Sequence, residues 1–303
     1  MDVVSLDERA ALVALLQVRP EGMSWSAIAA EVLETGSALA VWHRVVPATL
    51  MAVPGEPEPL DAAASEIAGW ERQGHRLLTI LDETYPERLR GVHQAPPVLF
   101  ARGTLVTRDR AVSVVGSRKA SGRGLELADG VARALVEREV TVVAGLALGI
   151  DTAAHRAALD ADGRTVAIIG TGIGKVYPAA NRGLQEEIAS RGLLLSQFWP
   201  DAPPQKFRFP MRNATMSGYG LATVVVEAGE RSGARIQARM AVEHGRPVVL
   251  TELVVEQNEW ARALVGRPGI HVAGSLKAVM EIIDALVDQG NAIDSEMRHL
   301  ISR

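Results

Sequence analysis

Ala111 to Arg123, AVSVVGSRKASGR, constrains the fold of this chain more than any other stretch. A mostly apolar, β-branched run from Val112 to Val115 stops at Gly116. Ser117, Arg118 and Lys119 follow, then Ser121, Gly122 and an amphipathic run from Leu125 to Val136. That order spells strand, tight turn, helix. Such a turn places backbone N–H groups, hydroxyls and two cations at the C-terminal edge of a parallel sheet, where open α/β folds bind anions.

The alternation continues downstream. Strands are predicted near 76–80, 98–101, 111–115, 140–144, 165–169, 193–197, 222–226 and 247–250. Helices are predicted over 62–73, 122–138, 150–161, 180–190, 212–219, 232–244, 256–265 and 275–288. Thr165 to Ile169 and Ala222 to Val226 are largely apolar on both faces, the mark of a parallel sheet covered by helices on each side. The expected class is therefore α/β. Residues 1–60 read as a separate small helical module, with helices over Leu6–Leu16 and Trp25–Leu39. Its linker, Pro47 to Pro59, is rich in Pro, Gly and Glu. Residues 61–290 form the main domain and 291–303 a tail.

Composition limits the function. The 303 residues contain no cysteine, which removes disulfides, thiolate chemistry and zinc–cysteine sites. No charged n-region with an apolar h-region opens the chain, and no apolar run reaches the ~20 residues that span a bilayer. The expectation is a cytoplasmic protein without membrane contact. A net charge of −4 argues against coating nucleic acid with the whole surface but leaves room for a local basic groove.

Four segments carry candidate chemistry. Gly170-Thr171-Gly172-Ile173-Gly174-Lys175 follows a strand, yet lacks the spacing of a Walker A loop and of the dinucleotide fingerprint. It is either a tight strand–helix turn or a phosphate cradle holding Gly170, Gly172 and Lys175 on an anion. Asp151 and His155 lie four apart at a helix start. The favoured reading makes Asp151 an N-terminal helix charge, with His155 packed behind it. In Gln205 to Asn213, QKFRFPMRN, Lys206, Arg208 and Arg212 alternate with Phe207 and Phe209. Cations that track phosphates beside rings that stack on bases suit a single strand. At least one of the two rings is expected to anchor the helix that follows. Glu227 ends a strand before Ser232-Gly233 opens a helix, and caps a loop or acts as a base. No nucleophile elbow or paired carboxylates can be assigned, so no catalytic residue is expected.

Taken together, LDETYPERL, APPVLFARG, VVGSRKAS, GLALGIDTAAH, GRTVAIIGTGIGKVYPAAN, FPMRN, VVVEA and SGARIQA…AVEHGRPVV resemble the DNA-processing protein A family (DprA/Smf) over about Gly74 to Leu250. The resemblance implies an extended Rossmann-like domain preceded by a SAM-like helical module. It also implies a homodimer that binds single-stranded DNA and loads the RecA recombinase during natural transformation, with no cofactor. Gly116, Ser117 and Arg118 match the family's phosphate-contacting turn. Lys119, Ser121 and the block containing Lys206, Arg212 and Asn213 extend it. The chain departs from the family pattern at Ala214, Gln237 and Thr251-Glu252, and no C-terminal winged-helix segment is expected. A nucleotide-sensing module is the alternative. A phosphoribohydrolase ranks lowest, because Glu227-Ala228-Gly229-Glu230-Arg231-Ser232-Gly233 stands where that activity needs a Pro-Gly-Gly-x-Gly-Thr loop.

Overall fold

The computed structural model describes residues 4–46 and 57–301, with side chains as far as 290. Nine strands form one sheet in the order β1-β2-β6-β5-β4-β3-β7-β8-β9. They are β1 (Arg76–Thr79), β2 (Val98–Gly103), β3 (Ala111–Gly116), β4 (Thr141–Ala144), β5 (Thr165–Ile168), β6 (Leu193–Ser196), β7 (Ala222–Glu227), β8 (Val248–Thr251) and β9 (Ile270–Ala273). From β6 to β9 every pairing is parallel; β2 runs antiparallel to both β1 and β6. The expected parallel α/β core is present. The strand β9, at the sheet edge, was not foreseen, because its short His-containing stretch carries little alternation.

The pleat of β3 shows why the sheet is covered on both sides. Val112 and Val114 point into one apolar layer, with Val131 of α6 (Gly122–Val136), Ala154 of α7 (Ile150–Asp160) and Ile283 of α13 (Leu276–Ile301). Ala111 and Val115 join the opposite layer, with Ile188 of α8 (Arg182–Arg191), Met216 of α9 (Arg208–Tyr219) and Ala238 of α10 (Gly233–Glu243). Burying each such Val, Ile or Met side chain contributes roughly 1.5–3 kcal/mol, so a strand without a polar face is stable only inside two layers.

Helices α1 (Leu6–Val18), α2 (Trp25–Thr35) and α3 (Ala38–Val45) share the second of these layers through Leu12, Ile28 and Trp42, as do α4 (Pro59–Arg72) through Ile67 and α5 (Glu87–Arg90) through Leu89. The single helix expected over Trp25–Leu39 is two. Gly36 takes φ +72 and ends α2, and Ser37 caps α3 with its side chain. Glu8 of α1 secures that break, accepting from Ser37 Oγ at 2.5 Å and Ala38 N at 2.6 Å. Trp199, after β6, stacks on Trp70 with ring centres 5.6 Å apart and meets Trp25 edge-on at 5.2 Å. Arg9 reaches Asp82 at 2.8 Å. Of the expected linker, residues 47–56 lie outside the described residues.

Three further boundaries moved, the helix expected over 275–288 running on as α13 to Ile301 and so through most of the expected tail. Helix α9 starts at Arg208 and not at 212, because Pro210 in a first turn costs no hydrogen bond. The helix expected over 256–265 is α11 (Glu252–Gln257) and α12 (Glu259–Arg262), parted at Asn258. The backbone there is extended, and its Nδ2 donates to Ala228 O at 2.8 Å and Val254 O at 2.9 Å. Among the described residues no helix is long and apolar enough to cross a membrane.

Candidate nucleic-acid interface

The strand order reverses between β3 and β7, and a cleft of about 590 Å³ opens at their C-terminal ends. A β-bulge sets it up. Val115 pairs with Val225, but Gly116 pairs with Glu227, which leaves Val226 extra and swings the end of β7 against the turn. Only glycine fits at 116, since a Cβ would sit 2.5 Å from Ile150 Cγ1 and 2.6 Å from Glu227 O. Gly149 comes as close from the other side. Its φ is +79, and a Cβ would meet Ser117 O at 2.2 Å. Ser117 N donates to Glu227 O at 2.7 Å, Ile150 N to Ser117 O at 3.2 Å and Lys119 N to Ser117 Oγ at 3.1 Å. The turn is fixed by backbone contacts on both flanks, while the Arg118 and Lys119 side chains stay exposed.

Around this turn the cleft gathers Phe209, Arg212 and Asn213 of α9, Asp151 of α7, Arg231 and Ser232 of the loop before α10, and Gly233 at the first position of that helix. The Arg118 guanidinium lies 5.4 Å from the centre of the Phe209 ring, a cation–π distance. Arg212 is 5% exposed, and its Nη1 donates to Ile168 O at 3.1 Å, so its charge is fixed beneath the cleft. Asp151 Oδ2 accepts from Gly145 N at 3.0 Å and Ala147 N at 3.3 Å. Burial pushes its carboxyl above the ordinary range, opposed by the Arg212 charge and those two amides. Four cations and one carboxylate therefore line the cleft, and the N-terminus of α10, capped by Ser232, opens on it. Such a lining attracts an anion of several charges.

Not every expected residue comes to this place. Gly116, Ser117, Arg118, Lys119, Phe209, Arg212 and Asn213 do. Ser121 instead caps α6, accepting from Gly124 N at 3.0 Å. Gly170 lies against the Phe209 ring, 2.7 Å from where its Cβ would be. Gly172 spends its N–H on Ala202 O at 2.8 Å, and Lys175 Nζ pairs with Asp201 at 3.1 Å. Of the two open readings of the 170–175 segment, the geometry is that of the packed turn. Lys206 and Phe207 are exposed just before α9 and outside the cleft lining; Arg208 lies over the Phe207 ring at 5.6 Å. Neither Phe207 nor Phe209 is a core anchor: Phe207 is 61% exposed and Phe209 half-buried. His155 is fully buried with Nδ1 2.7 Å from Thr165 Oγ1, and burial pulls its pKa down to about 3.

Sequence reasoning missed Arg231 and Gln237. Arg231 stands in the 227–233 loop with no neighbouring pattern in the sequence that marks a ligand. Gln237, at a position of departure from the family pattern, is buried in the cleft wall. With its amide turned so that the nitrogen faces Asn213 O at 2.9 Å and the oxygen faces Ser217 N at 3.3 Å, it fastens α10 to α9. Ala214, another departure, is 4% exposed. Among the described residues no cluster of His, Asp and Glu is placed to hold a metal ion.

Comparison with known proteins agrees with this architecture. A family model described as DNA recombination-mediator protein A matches residues 76–271. The DNA processing protein DprA of Streptococcus pneumoniae is 44% identical over 179 residues, 59% of this chain and 63% of that protein. Its Bacillus subtilis counterpart is 36% identical over 184 residues, 60% of this chain and 62% of that protein. The chain thus matches somewhat less than two thirds of the length of these curated relatives. The X-ray structure of the Streptococcus pneumoniae protein superposes with a TM-score of 0.71 at 32% identity, covering 92% of this chain and 98% of that one. A Helicobacter pylori DNA processing protein A, solved for its single-stranded DNA binding mode, superposes at 0.61 over 71% of this chain and 96% of its own, and at 22% identity the likeness is one of fold. Since the family match covers more than half of the chain, the chain belongs to the DNA recombination-mediator protein A family.

Proposed function

We propose that this chain binds single-stranded DNA in the cleft between β3 and β7 and acts as a recombination mediator. The observation that carries the reading is the convergence of the Gly116–Lys119 turn, Phe209, Arg212 and Arg231 on one cleft. Phosphates lie against the turn and the α10 N-terminus, where backbone dipoles and guanidinium groups act together. Bases face Phe209. Arg212 contributes charge from beneath and Asn213 shapes the wall. Lys206 and Phe207, exposed before α9, extend the track. The RecA recombinase as partner, a homodimeric state and a cytoplasmic setting follow from the family resemblance and belong to the same proposal, as does the division into residues 1–60, 61–290 and 291–303.

On this reading the protein is not an enzyme. In support, the carboxylates nearest the turn are engaged by the backbone: Asp151 by two amides of the preceding loop, Glu227 by Ser121. The test is a titration of a labelled oligo-dT against a mononucleotide. Tight, salt-sensitive binding of the oligomer with none of the mononucleotide supports the mediator. The reverse order of affinity overturns it in favour of a nucleotide sensor.

A further inference from the structure

A second, smaller recess of about 60 Å³ opens beside the cleft and shares Arg118, Phe209 and Arg212 with it. Its walls are of a different kind. Leu148 and Tyr177 form them, and both stand in water, at 45% and 39% exposure. The Tyr177 ring lies 5.6 Å from that of Phe209, tilted by 45°. Gly145 and Gly170 form the floor, and both leave space that a neighbour fills. A Cβ on Gly145 would fall 1.2 Å from Arg212 Nη1, and one on Gly170 would fall 2.7 Å from the Phe209 ring. The glycines of this region seat an arginine and a ring.

The recess is held in shape before any ligand arrives. Leu148 and Tyr177 lie on different loops, and Asn181 fastens one to the other. Its Nδ2 donates to Leu146 O and to Thr152 Oγ1, both at 2.9 Å, and Thr152 Oγ1 donates in turn to Ala147 O at 2.7 Å. Leu146 itself has φ +58, a left-handed backbone that a non-glycine residue adopts only where its surroundings hold it there. Apolar side chains left in water on a rigid frame, directly against a cationic turn, mark a binding surface.

We propose that the exposed apolar wall of this recess, Leu148 and Tyr177, covers one face of an unpaired nucleobase of a strand whose phosphates lie on the Gly116–Lys119 turn. The inference rests on the reading of the cleft as a single-stranded DNA site and assigns Leu148 and Tyr177 to it. A phosphate would lose its hydration against Leu148 and the Tyr177 ring, whereas every base has a π-face that an exposed ring can cover. A base paired and stacked inside a duplex cannot present that face. Arg118 then has two partners at once, with its guanidinium carbon over the Phe209 ring and its N–H groups toward the adjoining phosphate.

The test compares oligo-dT with a deoxyribose-phosphate oligomer of equal length that lacks bases, against the wild type, Tyr177→Ala, Leu148→Ala and Tyr177→Phe. The proposal expects Tyr177→Ala to bind oligo-dT roughly 5–150-fold more weakly, the factor that corresponds to ~1–3 kcal/mol of stacking. It also expects an unchanged salt slope, no loss on the abasic oligomer, and near wild-type binding by Tyr177→Phe. Leu148→Ala should show a smaller loss of the same pattern. Wild-type affinity for oligo-dT in Tyr177→Ala, or an equal loss on both oligomers, overturns the recess alone. A wild-type protein that ignores oligo-dT overturns the cleft reading and the recess with it.

Discussion

Glu227 clasps Ser121 across the mouth of the β3–α6 turn. Its Oε1 and Oε2 accept from Ser121 N at 3.0 and 3.1 Å, and Oε2 also accepts from Ser121 Oγ at 2.6 Å. Its backbone carbonyl meanwhile holds Ser117 N. One residue thus secures both ends of the turn. Glu227→Ala should cost ~1–3 kcal/mol, the range for removing a charged hydrogen-bond partner. Ser121→Ala should cost ~1 kcal/mol through the lost N-cap. Urea denaturation of each variant checks both values.

Arg118→Ala should weaken oligo-dT binding and flatten its salt dependence, because each phosphate contact contributes ~0.7 to the slope of log affinity against log salt. Phe209→Ala should lower affinity with the slope nearly unchanged. The contrast is sharp on a chain of net charge −4, where diffuse attraction to DNA is weak. Affinity measured at four or five salt concentrations separates the two. Wild-type affinity and slope in a folded Arg118→Ala protein would remove the turn from the interface.

Two glycine substitutions should part company. Gly145→Ala drives a methyl into the Arg212 guanidinium and breaks its bond to Ile168 O, so a loss of ~1–3 kcal/mol is expected. Gly183→Ala, inside α8 with open space around it, should be stabilising by ~0.5–1 kcal/mol. Thermal melts should move in opposite directions.

His155 should make the fold acid-sensitive. Its folded pKa of about 3 lies below the 6.5 of the unfolded chain, so the unfolded state binds more protons between those values. The stability it contributes is full above pH 6.5 and declines as pH falls toward 3, approaching ~1.4 kcal/mol per pH unit. Replacing His155 with Gln should flatten that part of the stability profile, measured by urea denaturation between pH 4 and 7.

The sheet was legible because its strands are apolar on both faces and its turns carry Gly, Ser and cations in order. What escaped was set by distant partners. The break at Gly36 depends on Glu8 from another helix, and that at Asn258 on the Ala228 carbonyl. In the cleft, the turn and α9 could be named from their residue types. Arg231 could not, because its loop meets the turn only through the pairing of β3 with β7. Gly170 and Gly172 read as a possible phosphate cradle because glycine alone does not say whether a ligand or a Phe ring fills the space it leaves.

Three of the five tryptophans, Trp25, Trp70 and Trp199, meet in one cluster, and none lines the cleft. Trp199 belongs to the loop whose carbonyls at Pro200 and Ala202 hold the amides of Gly174 and Gly172. Their shared emission is thus a built-in optical gauge. None of the three rings is placed to stack on a base lying in the cleft. The 199–202 loop thus joins α2 and α4 to the Gly170–Lys175 turn, and the emission of the cluster is a readout of that junction.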